Sequence, residues 1–99
     1  MSFADLRNEQ IRRIILDTLR QDANYTVNEA ILRAILRDFG FAVSQDLLRT
    51  ELAWLIEQSL IITWDQGGIV IAKIRSRGVD VSSGCTIIPG VARPEPEAN

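Results

Sequence analysis

The sequence predicts an α+β fold: three helices, then a β-hairpin, a short C-terminal helix and an extended tail. Apolar residues recur at helical spacing in three separate runs before residue 58. Two β-branched and aromatic runs, residues 60–64 and 69–74, flank the turn Asp65-Gln66-Gly67-Gly68. All three prolines lie after residue 88, where the composition becomes extended and polar. This order of elements is that of a winged helix-turn-helix, with two or three antiparallel strands in the wing.

The first helix is expected from Phe3 to about Gln21. Phe3, Ile11, Ile14, Ile15 and Leu19 share a broad inward face, and Arg7, Asn8, Glu9, Arg13, Asp17 and Arg20 lie mostly away from it. Leu16 falls on the far side of the stripe, which predicts a second contact, to the C-terminal segment or to another subunit. Asp22-Ala23-Asn24 breaks the run. Thr26 is expected to cap the second helix, with Glu29 completing a capping box three residues on. Val27, Ile31, Leu32, Ile35, Leu36 and Phe39 then point inward, while Glu29, Arg33 and Arg37 point out. Gly40 ends this helix where a left-handed residue is usual.

Ser44 caps the third helix, and Asp46 in its first turn suits the helix dipole. Leu48, Leu52, Leu55 and Ile56 form its inward stripe, flanked by Leu47 and Trp54. Its outward set is Gln45, Asp46, Arg49, Thr50, Ala53 and Glu57. The hairpin follows, and Arg75 to Ser83 can form one or two helical turns starting at Ser76. The domain is expected to span residues 3–85. A tail over 86–99 should lie against it at Ile87-Ile88 and fray from about Pro94.

Bulk properties restrict the function. Ninety-nine residues suit one domain that buries roughly 60–70 % of its unfolded surface. Net charge is −2 and pI about 5.0, so no global positive field draws the chain to DNA or membranes. Histidine is absent, which removes Ser-His-Asp and Cys-His catalysis and His-bound zinc. One cysteine, Cys85, allows neither an internal disulfide nor a metal cluster. The carboxylates show no pairing suited to acid–base work, and the glycines match no phosphate-loop spacing. No enzyme activity, metal or cofactor is expected, and with no membrane span or leader pattern a cytoplasmic location is the default.

If the third helix reads DNA, Gln45, Arg49 and Thr50 are its candidates for base edges in the major groove. Arg33, Lys73, Arg75 and Arg77 are the candidates for phosphate contact. The last three form the densest basic stretch, on one face if the strand runs that far; otherwise they are strand-edge solubilising charges. Arg33 has a simpler role in pairing with Glu29. Asp46 and Glu57 oppose phosphate contact, and the hairpin tip offers Asp65 where a groove-gripping wing usually offers Arg or Lys. Trp54 and Trp64 are expected in the core.

Residues 44–74 resemble winged-helix regulators, in the run Trp54-Leu55-Ile56-Glu57-Gln58, then Leu60-Ile61, Gly67-Gly68 and Ala72-Lys73-Ile74. Ser59 stands where such proteins usually carry Gly. The stretches Arg77-Gly78-Val79-Asp80-Val81, Gly84, Pro89-Gly90-Val91 and Arg93-Pro94 are similar to a small family of Mu-like phages and prophages, often labelled ArsR-like regulators. The resemblance implies a winged-helix fold and a phage origin. The leading functional expectation is a phage transcription regulator that binds double-stranded DNA, and a homodimer through the first helix would support it, since dimers match palindromic sites. ArsR-type metal sensing is not implied, because histidines and a cysteine pair are missing. The alternative is a phage assembly or protein-interaction module that keeps the fold without binding DNA.

Overall fold

In the computed structural model, which describes residues 2–95, four helices and a three-stranded antiparallel sheet enclose one core. In chain order these are α1 Phe3–Gln21, β1 Thr26–Asn28, α2 Glu29–Asp38, α3 Gln45–Glu57, β2 Ile61–Gln66, β3 Ile69–Ile74 and α4 Ser76–Ser83. The strands lie in the order β1-β3-β2. No helix among the described residues is long and apolar enough to cross a membrane.

Ser2 starts α1 with a capping box: its hydroxyl accepts from the Asp5 N–H, and the Asp5 carboxylate accepts from the Ser2 N–H. Ile11, Ile15, Leu16 and Leu19 are buried, whereas Phe3, expected inside, is 81 % exposed. Phe3 occupies the first turn and reaches beyond the elements that cover the rest of α1. The second contact predicted by Leu16 is made within the chain, by α4. Arg13, Asp17 and Arg20, on the same side of α1 as Leu16, all bond to Ser82 or its backbone or to each other there.

The capping box expected at Thr26 is replaced by a strand. Thr26, Val27 and Asn28 pair with Lys73, Ala72 and Ile71 of β3, so the Thr26 backbone serves a ladder rather than a helix end. Asn28 caps α2 instead, accepting from the Ile31 N–H at 2.9 Å. On α2 only Leu32 and Leu36 of the expected apolar set are fully buried; Ile31 and Phe39 are half or more exposed. Conversely Glu29, expected outside, is buried. Ile56 of α3, also expected inside, is exposed.

α2 and α3 end in the same way, with different residues. After α2, Gly40 takes a left-handed φ of +90°, and Phe41 and Gly40 donate back to Leu36 and Arg37. After α3 the left-handed position is held by Ser59, at φ +62°. The Leu60 N–H reaches the Leu55 carbonyl at 3.0 Å and the Ser59 N–H reaches Ile56 at 2.9 Å. A side chain in this region strains the backbone by roughly 1 kcal/mol or more, which glycine relieves at some loss through a freer unfolded chain. Ser59→Gly is therefore expected to raise stability by about 0.5–1 kcal/mol, seen as a melting temperature higher by about 3–5 °C. An unchanged or lower melting temperature contradicts this account of the turn.

Gly67 and Gly68, at φ +63° and +88°, close the β2–β3 hairpin in a two-residue loop between Gln66 and Ile69. Both positive φ values match the strand twist as a type I′ turn does. The inner sheet face carries Val27, Ile61, Ala72 and Ile74 to the core. Trp64, expected in the core, points the other way and is 40 % exposed. β3 stops at Ile74 and Arg77 belongs to α4, so Lys73, Arg75 and Arg77 do not share one strand face.

Beyond Gly84 the chain folds back over α1. Ile87 is exposed, whereas Ile88 packs half-buried against the core and Val91 is buried, so the tail docks at Ile88 and Val91. The Ala92 N–H donates to the Glu9 carbonyl, and Arg12 and Arg13 donate to the carbonyls of Gly90 and Ala92. The fraying expected from about Pro94 falls mostly on residues 96–99, outside the described residues.

Candidate functional site

The surface that a reader of DNA would use is the N-terminal half of α3 with the hairpin tip. Ser44 fixes the start of α3, its hydroxyl accepting from the Leu47 N–H at 3.0 Å. This end of the helix lies beside the hairpin loop, because the Arg49 guanidinium reaches the Gly68 carbonyl at 3.4 Å. Gln45, Asp46 and Thr50 are exposed there, and the Thr50 hydroxyl donates to the Asp46 carbonyl at 3.0 Å.

Arg49, half-exposed, is turned toward the buried Glu29 at this corner. Its Nε and Nη2 donate to the two oxygens of Glu29, each at 2.9 Å. Glu29 also accepts from the Val70 N–H. One carboxylate thus ties the start of α2 to α3 and to β3. The Arg49 guanidinium holds the Glu29 carboxyl well below the ordinary 4.5, at about 2, with the Val70 N–H adding to the effect and burial opposing it. In return Glu29 raises the Arg49 pKa, and the nearby charges of Asp65 and Asp46 favour its cationic form further. Four charges meet at this corner, three carboxylates (Glu29, Asp46, Asp65) and one guanidinium. Asp65 also accepts from the Gly68 N–H at 2.9 Å, which fixes a carboxylate at the hairpin tip.

The remaining predicted contacts lie elsewhere. Arg33 does not pair with Glu29; its Nε donates to the Val43 carbonyl at 3.2 Å and braces the turn before α3. Arg77 donates to the Gln58 carbonyl at 3.0 Å, at the opposite end of α3 from Gln45. Lys73 and Arg75 are exposed, five and seven residues along β3 from Gly68, or about 16–23 Å at the rise of a strand. The structure thus brings Gln45, Arg49 and Thr50 together and sets Lys73, Arg75 and Arg77 at the other end of the hairpin.

A second buried charge site was not anticipated. Glu51 of α3, 3 % exposed, accepts from Arg12 Nε at 2.7 Å. Arg12 also donates to the Gly90 carbonyl at 3.0 Å and stacks on Trp54, 3.9 Å from the ring centroid. Beside it the Ser82 hydroxyl donates to Asp17 at 2.6 Å and accepts from Arg20 at 2.7 Å. Every buried side-chain nitrogen and oxygen among the described residues has a partner, so these groups act as fasteners. The signal was in the helical spacing: Glu51 stands within the stripe Leu48, Leu52, Leu55, and Glu29 lines up with Leu32 and Leu36. Arg12 lines up in the same way with Ile15, Leu16 and Leu19. A charge inside an apolar stripe calls for a buried partner. Among the described residues no three His, Cys, Asp or Glu side chains gather as metal ligands do.

No family model matches the chain, and no solved structure matches it. It is 38 % identical over 94 residues to gp26 of Escherichia phage Mu, an uncharacterized protein, across 95 % of this chain and 97 % of gp26. It is also 37 % identical over 84 residues to an uncharacterized protein of Haemophilus influenzae, across 84 % of this chain and 81 % of that protein.

Proposed function

The chain belongs to the family of Mu-like phage proteins that includes gp26, and we propose that it is a non-enzymatic winged-helix module that binds protein rather than reading duplex DNA with α3. The observation that carries this reading is the charge at the α3–hairpin corner, where Asp46 and Asp65 are exposed and Arg49 is held by Glu29. A phosphate backbone brought to that corner meets three carboxylates and one guanidinium already in use. Binding to duplex DNA depends on cations that release counterions, and this corner lacks free ones among its described residues.

The second reading, a phage transcription regulator, draws on the order of elements and on the exposed Lys73, Arg75 and Arg77. Fluorescence anisotropy with a mixed-sequence duplex at about 50 and 200 mM salt separates the two. The interaction reading expects no binding at either salt. Binding at the lower salt that weakens at the higher, and shrinks with Arg75→Ala and Arg77→Ala or with Gln45→Ala and Thr50→Ala, overturns it in favour of the regulator.

A further inference from the structure

Two apolar surfaces of this chain lie open to solvent, and their charges are opposite. The first is the outer face of the sheet. Ile62 and Trp64 of β2 stand beside Lys73 and Ile71 of β3, with Ile69 completing the patch. Ile62, Trp64 and Ile69 are 40–47 % exposed. The other outward positions on the three strands, Thr26, Asn28 and Gln66, are uncharged. Lys73 and, just past the strand end, Arg75 make this surface positive, and neither has an ion-pair partner among the described residues.

The second is a groove of about 420 Å³ between α1 and α2, floored by Ile14, Val27 and Ile35 and edged by Ile31 and Phe39. Its charged lining residues are Asp17 and Asp22, and it holds no cation. Asp38, exposed, adjoins Phe39 and lies one turn from Ile35. Arg13 meets the charge of Asp17, whereas Asp22 and Asp38 have no cationic partner among the described residues.

We infer that the outer sheet face of one chain docks into the α1–α2 groove of a second copy. Trp64 is the anchor, and Lys73 and Arg75 face Asp22 and Asp38. An aromatic side chain in an apolar groove supplies most of the energy of such contacts, and the charges fix the pairing. Two sheet faces meeting across a two-fold axis would bring cations together, and two grooves would bring carboxylates together. Only the unlike pairing buries apolar surface and matches charge at once. The two surfaces lie on different elements, and in a head-to-tail contact each copy keeps one of the two free. Association therefore continues from copy to copy into a ring or filament. This rests on the interaction reading above and deepens it by naming the partner.

The test is sedimentation of the intact chain at concentrations up to about 100 µM. The wild-type chain is expected to grow past the dimer with concentration. Trp64→Glu and Ile31→Glu, each alone, are expected to weaken association at least about tenfold. Mixed together they form a one-to-one dimer and stop there, because each keeps the surface the other has lost. The exposed charge variants Lys73→Glu and Asp38→Lys, which leave the core untouched, likewise weaken association alone and recover it when mixed. A closed dimer from one single variant that the other variant cannot join overturns the unlike pairing. A monomer in every mixture also overturns it, while the interaction reading stands or falls on the DNA titration.

Discussion

Removing the Glu29 carboxylate is expected to lower the stability of the chain by about 2–3 kcal/mol. Glu29→Ala leaves the Val70 N–H without its acceptor and removes the two hydrogen bonds that Arg49 makes to the carboxylate, leaving only its bond to Gly68. It also unfastens three elements at once, since α2, α3 and β3 meet at that side chain. The same carboxylate gives the chain a pH dependence of definite sign. Its folded pKa, about 2, lies below the ordinary 4.5. The unfolded chain therefore takes up the proton first as pH falls. The stabilisation is complete above about pH 5 and is lost progressively down to pH 2. At full value the displacement corresponds to about 3 kcal/mol. Water around the 40 %-exposed Arg49 side chain screens it to about 2 kcal/mol. Denaturant midpoints between pH 2 and 7 check this. Glu29→Gln should flatten the acid limb relative to the wild-type chain, and parallel curves would remove Glu29 from the account.

Gly78→Ala is expected to destabilise the chain by about 2 kcal/mol, against the usual direction for a helix. Alanine normally gains about 1 kcal/mol over glycine inside a helix. Here a Cβ would stand 2.6 Å from Ile74 Cγ1 and would also run into the Leu60 carbonyl. That carbonyl already accepts from the Arg75 N–H at 2.9 Å, so it cannot retreat without losing the bond that starts α4. Overpacking of this kind costs about 1–3 kcal/mol beyond the lost propensity gain. Thermal unfolding should show a midpoint lower by about 10 °C. Ser83→Ala, exposed in the same helix, should be neutral or slightly stabilising. If Gly78→Ala melts at or above the wild-type temperature, the close packing of α4 on Leu60 and Ile74 is not what glycine serves there.

These residues also mark which parts of the molecule can be read from sequence. Ser44, Gly40 and Gly67-Gly68 act on neighbours within a few residues, and the turns and caps they predict are present. The short helix from Ser76 is present as well, although its start has no side-chain cap and is held by the Leu60 carbonyl. The strand at Thr26 is different. Its backbone is claimed by Lys73 and Ala72, more than forty residues away, and that pairing outweighs a local capping signal. Periodicity also places Ile31 and Phe39 on an inward face, since it records which residues are apolar and not whether a neighbour exists to cover them. The candidate site was legible as a location and not as chemistry. Gln45, Arg49 and Thr50 do gather at one corner. Only the fold reveals that Arg49 reaches back twenty residues to Glu29.

The clamp between α1 and the tail sets a timetable for the chain as it is made. Arg12 and Arg13 are synthesised early, yet the carbonyls they bind belong to Gly90 and Ala92, 78 and 79 residues later. At a synthesis rate of about 5–20 residues per second, α1 waits roughly 4–16 seconds for those partners. Through that interval its Leu16 side and the Arg13 guanidinium lack the cover they have in the finished molecule, and Arg12 has only Glu51 and Trp54. A ribosome stalled anywhere before residue 90 therefore holds a chain whose first helix has no complete lodging.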